Sequence, residues 1–85
     1  MEHAGPAALA ALDALFVAMR KRAGVADKRA GHFYRKGRAL AHFHQDLSGL
    51  YADLHDGPEW RRLRVSTQAE RRRFLAALDK VLRGD

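Results

Sequence analysis

The chain has 85 residues, with 16 basic and 10 acidic side chains and a net charge of +6; that is room for one domain, 1–85, with a thin core, because a chain this short buries only about 60% of its unfolded surface. A composition of 47% hydrophobic and 31% charged residues is a globular balance, too apolar for disorder. With no cysteine, disulfides, thiolate catalysis, iron–sulfur clusters and cysteine-type zinc sites are excluded, and a metal could be held only by histidine and carboxylate.

Taken in chain order, Pro6 to Ala23 reads as a helix (6–23). Leu9, Leu12, Leu15, Phe16 and Met19 recur at spacings of three and four and form one apolar stripe. Pro6 suits the first helical turn, Arg20, Lys21 and Arg22 suit the negative end of the dipole, and Gly24 suits a left-handed stop. The run from Ala7 to Met19 has no basic segment before it, is interrupted by Asp13 and falls short of the roughly 18 to 20 apolar residues of a membrane span. The expectation is a cytoplasmic chain with no membrane partner. Val25 to Gly31, with Asp27, Lys28 and Arg29 lying between two glycines, reads as a connecting loop.

From His32 the period changes to two. Strand 32–35, a tight turn at Lys36-Gly37 and strand 38–44 form a first hairpin, and a turn across Gln45 to Leu50 leads into strand 50–55. Asp56-Gly57-Pro58 is a turn signal before strand 60–65. Thr67-Gln68-Ala69-Glu70 fits a capping box that opens a C-terminal helix, 68–83, whose buried stripe is Phe74, Leu75, Leu78, Val81 and Leu82. The implied fold is α+β: an N-terminal helix, a four-stranded antiparallel meander and a C-terminal helix, both helices on one sheet face.

The stretch ALAHFHQDLSGLYADLH, Ala39 to His55, carries the chemistry. Setting the turn so that Ala41 faces Leu54, Phe43 faces Ala52, His42 faces Asp53 and His44 faces Tyr51 makes one side apolar and the other polar. Ala41, Phe43, Ala52, Leu54, Leu63 and Val65 are the expected sheet contribution to the core. His42, His44, Tyr51, Asp53, His55, Trp60, Arg62 and Arg64 share the opposite face, which neither helix covers, and an open face with tyrosine and tryptophan is where a partner is expected.

Four chemistries fit this face. His42-x-His44 with Asp53 opposite could offer three ligands to a divalent ion, but such a pair on an alternating strand is more often structural; the expectation is no metal and no cofactor. His42 and Asp53 could act as an acid–base pair, with Arg62 or Arg64 stabilising a phosphate, in a small metal-independent ribonuclease. No nucleophile motif or phosphate-cradling glycine loop supports this, so no catalytic residue is expected. Trp60 and Tyr51 could anchor a protein contact or a homodimer. The leading expectation is a non-enzymatic nucleic-acid-binding module. Trp60 and Tyr51 would stack, His42, His44 and Asp53 would shape the face, and Arg62, Arg64 and the hairpin-tip cations Arg35, Lys36 and Arg38 would meet phosphates; an acidic protein surface is the alternative partner. The charge also has a compositional explanation, since 12 arginines accompany 16 alanines. Arg71-Arg72-Arg73 sits where the helix dipole disfavours cations, a placement that demands a local or external anion.

The blocks HFYRKGRALAHFH and GLYADL, followed by EWRRLRV and the capped STQAE helix, resemble a family of small bacterial proteins of uncharacterised activity built around an HFH hairpin and an ADL strand. The resemblance spans about Gly31 to Leu82. It implies a bacterial, cytoplasmic origin and transfers no substrate, cofactor or catalytic residue.

Overall fold

A computed structural model describes residues 1–84. The elements are β1 (Glu2–His3), α1 (Pro6–Ala11), α2 (Asp13–Arg20), β2 (Val25–Arg29), β3 (His32–Arg35), β4 (Arg38–Asp46), β5 (Gly49–Asp56), β6 (Glu59–Arg64) and α3 (Gln68–Arg83). The fold is α+β with a six-stranded antiparallel sheet in the order β2-β3-β4-β5-β6, β1 pairing with β4 beyond the end of β3. Among the described residues no helix is long and apolar enough to cross a membrane.

The expected four strands and two helices are therefore corrected to six and three. The helix expected over 6–23 breaks at Leu12, which is fully buried and whose N–H is shared between the carbonyls of Ala8 and Leu9. It ends at Arg20, because Lys21 and Arg22 donate to carbonyls only three residues back and tighten the last turn. Gly24, with φ +78°, then reverses the chain into β2. The segment expected as a loop is that edge strand. Val25 is buried, and Arg20 holds Asp27 with two hydrogen bonds of 2.9 and 2.8 Å, fixing β2 to α2. Charged residues suit an edge strand and hide the alternation that would reveal it.

Tight turns set the registers. Lys36 and Gly37 both have positive φ, 53° and 77°, as a primed hairpin turn requires. At the β4–β5 turn Asp46 opposes Gly49, and the Asp46 carboxylate accepts from the Ser48 N–H and hydroxyl. The β4–β5 register pairs Ala41 with Leu54, His42 with Asp53, Phe43 with Ala52 and His44 with Tyr51, as the alternation predicts. Between β3 and β4 the register shifts: Phe33 pairs with Ala41 but Tyr34 with Ala39, leaving Leu40 as a bulge. Leu40 and Ala41 are consequently both buried.

The core lies between the sheet and the helices. All four phenylalanines of the chain meet there: Phe43 has ring centroids of Phe16, Phe33 and Phe74 at 4.9, 5.9 and 5.6 Å. Leu12, Met19, Leu54, Val65 and Leu78 complete it at zero exposure, whereas Leu63, expected as core, is only half-buried beside the β6 edge. The capping box forms as expected: Thr67 Oγ1 accepts from the Glu70 N–H at 3.1 Å, and Glu70 Oε1 accepts from the Thr67 N–H at 2.9 Å. Arg22 reaches across to Asp79 with bonds of 2.9 and 3.2 Å, joining the end of α2 to α3.

Phe43→Ala removes the ring on which the other three converge, and a loss of about 3–5 kcal/mol is expected. Thr67→Ala loses one cap at a cost of about 1 kcal/mol. Urea denaturation checks both, and the ranking of the two is the test: a Phe43 variant no weaker than the Thr67 variant would contradict this core.

Candidate functional site on the open sheet face

The side of the sheet away from the helices is made by alternate residues of five strands. β4 supplies His42 and His44; β5 supplies Tyr51, Asp53 and His55; β6 supplies Trp60, Arg62 and Arg64, each opposite its β5 partner in the pairs His55 with Trp60, Asp53 with Arg62 and Tyr51 with Arg64. The sequence-derived face is thus assembled in one place. Two further members come from pairings that the alternation did not reveal: His32 of β3 opposes His42, and His3 of β1 opposes His44. All five histidines of the chain therefore share one face.

Bonding on this face departs from the expected His42–Asp53 pair. Asp53 receives two hydrogen bonds from Arg62, at 2.7 and 2.9 Å, and its Oδ2 lies 3.1 Å from His44 Nε2. His42 instead stacks on Trp60, with centroids 4.9 Å apart, and His55 stacks on the same indole at 4.6 Å while its Nδ1 lies 3.2 Å from the Ala39 carbonyl. The orienting carboxylate that a His42-based ribonuclease requires is engaged elsewhere. Hydrogen bonds from Arg62 hold the Asp53 carboxyl below its ordinary range, although burial pushes the other way.

Burial lowers His32, His42 and His44 below the ordinary imidazole value, and neighbouring imidazoles add to the shift; for His44 the Asp53 carboxylate partly opposes it. The three rings are thereby biased towards the neutral form. Trp60 remains 46% exposed.

The cations divide into bound and unbound groups. Arg64 faces Tyr51 and lies 3.4 Å from Glu70, Arg61 is 3.9 Å from Asp56, and Arg71 donates to the carbonyls of Val65 and Ser66. Within the arginine run at the start of α3, that backbone bonding accommodates Arg71. Of the hairpin-tip cations, Arg35 donates to the Leu82 carbonyl at 3.2 Å. Lys36 and Arg38 stand at the tip, lining a depression of 390 Å³ with His55 and Val81. Between β6 and α3 runs a groove of 480 Å³ lined by Arg61, Arg62, Arg64, Arg73 and Lys80, with Glu70 its one acidic liner. The packing of α3 beside β6 brings Arg73 and Lys80 to the arginines of β6.

No family model, curated protein or solved structure matches the chain, so the HFH and ADL resemblance adds nothing to the geometry.

The neutral imidazoles give the fold a pH dependence. Their folded-state values lie below the unfolded value of about 6.5, so the unfolded chain takes up protons first. Their contribution to stability is complete above that value and is lost as pH falls through the window down to the folded values. Urea midpoints measured from pH 7.5 to 5 should fall accordingly, and the slope should flatten in His42→Gln/His44→Gln; a wild-type profile flat over this range would contradict the shifts.

Proposed function

We propose that the protein is a small non-enzymatic module that binds single-stranded nucleic acid, with phosphates along the β6–α3 groove and a base against Trp60. The observation that carries this reading is the placement of unbalanced positive charge. Five cations and one carboxylate line the groove, and Lys36 and Arg38 line a second depression with His55, whose ring stacks on Trp60. A track of cations beside an exposed indole suits a phosphate backbone carrying stackable bases.

Within the track the cations differ in readiness. Arg62 and Arg64 already face Asp53 and Glu70 and would have to exchange partners to meet phosphate. Arg73 and Lys80 have no carboxylate partner among the described residues, and the Arg61 contact with Asp56 is long. Arg61, Arg73 and Lys80 are therefore the first phosphate contacts.

An acidic protein surface is the second reading, favoured by the open edge of β6, which no strand covers among the described residues. A homodimer through that edge is disfavoured, because it would set Arg61, Arg62 and Arg64 against their own copies.

Anisotropy of a labelled single-stranded oligonucleotide tests the proposal. With three phosphates neutralised, log K should fall with log salt at a slope of about −2. Trp60→Ala should weaken binding by about 1–3 kcal/mol, and Arg73→Gln and Lys80→Gln should each reduce the slope by about 0.7. Affinity indifferent to salt overturns the reading. So does polyglutamate that binds more tightly than the oligonucleotide and ignores Trp60→Ala, an outcome that assigns the groove to an acidic protein.

A further inference from the structure

The histidine side of the same face supports a second function, independent of nucleic acid. We propose that His3, His32, His42 and His44 bind one divalent transition-metal ion of the zinc type, with Asp53 as an orienting carboxylate outside the ligand set.

The four imidazoles close a ring. Centroid separations are 5.0 Å for His3–His32, 5.1 Å for His32–His42, 6.5 Å for His42–His44 and 5.0 Å for His44–His3. With Zn–N bonds of about 2.0–2.1 Å, imidazole centroids stand about 3.2 Å from the ion and therefore about 5.2 Å apart at the corners of a tetrahedron. Three sides of the ring already have nearly this spacing. The long side joins two residues of β4 whose backbone is fixed by pairing on both sides, so closing it falls to the His42 side chain. As the rings stand, no three histidine or acidic donors converge closely enough to hold an ion among the described residues. Binding thus requires imidazoles to turn about their side-chain torsions while the strands stay in place.

Two features favour such an ion. Histidine without thiolate selects borderline ions such as zinc and cobalt over calcium or magnesium, which prefer oxygen. Asp53 lies against His44 Nε2 and is itself held through both oxygens by Arg62. This leaves His44 Nδ1 as the donor and makes Asp53 the outer carboxylate that fixes a ligating imidazole. Arg29 and Arg62 oppose added positive charge, and Asp53 offsets part of that.

The donor set is non-local. His3 arrives on β1, which is held by the Ala4 N–H on the Phe43 carbonyl and by the Gly5 N–H on Gln45 Oε1 at 2.7 Å. A bound ion would join β1, β3 and β4, stabilising the native state by mass action.

Calorimetry with Zn²⁺ and visible spectroscopy with Co²⁺, on protein without a histidine tag and without nucleic acid, test the proposal. One ion per chain is expected, with a rise in thermal midpoint. His3→Ala and His42→Gln should each weaken binding at least about tenfold, as removal of a ligand must exceed the 10- to 100-fold effects of outer-shell changes, and Asp53→Asn about tenfold. His55→Ala, outside the ring, should leave affinity unchanged. His3 is exposed on a two-residue strand, so its variant keeps the fold; circular dichroism verifies the others. The absence of saturable binding tighter than about 100 µM overturns the site. So does binding that survives both ligand substitutions in folded protein, or that falls as far with His55→Ala.

Discussion

The pairing of β4 with β5 sets both sides of the sheet in one step. With Phe43 opposite Ala52 and His42 opposite Asp53, a slip of one residue would exchange the apolar and polar rows along both strands. The rings of the protein sort about this ladder, the four phenylalanines beneath the sheet and the five histidines above it. Neighbouring residues of β4 therefore serve opposite ends. Phe43 packs against three rings, and edge-to-face and tilted pairs of this kind add about 0.5–1.5 kcal/mol each beyond their burial. His42 and His44 inherit their positions from a strand that the core holds.

The second constraint is electrostatic. Much of the arginine content ties elements together: Arg20 links α2 to β2, Arg22 links α2 to α3, Arg62 links β6 to β5, Arg35 meets the last turn of α3, and Arg71 meets the strand exit before it. The planar guanidinium suits these forked contacts. Those exposed to water contribute little stability individually; their effect is to fix geometry. Of the cations without a carboxylate partner among the described residues, Arg73 and Lys80 line the groove beside β6, and Lys36 and Arg38 stand at the β3–β4 hairpin tip.

The histidine face follows a different logic. Protonating several imidazoles within about 5 Å of each other would set like charges together in a partly desolvated place, and lowered proton affinity avoids this. His32, His42 and His44 are thereby biased towards the neutral form beside one exposed indole and an ion-paired aspartate.

The sequence by itself determined the β4–β5 register, the burial of Ala41, Phe43, Ala52, Leu54 and Val65, the polar row from His42 to Arg64 and the capped start of α3. Each of these is written in neighbouring residues, as alternation along one strand, turn chemistry or a four-residue capping box. Only the tertiary structure decided that Val25–Arg29 is a strand and that Glu2–His3 joins the sheet, because edge pairing depends on a distant partner more than on local propensity. It also decided the bulge at Leu40. A two-residue turn at Lys36-Gly37 with unbroken pairing would set His32 opposite Ala41, on the core side; the extra residue shifts the register, turning Phe33 inward and His32 onto the open face. Such an insertion is chosen by which packing buries Leu40, Ala41 and Phe33 together, a comparison made by the whole core.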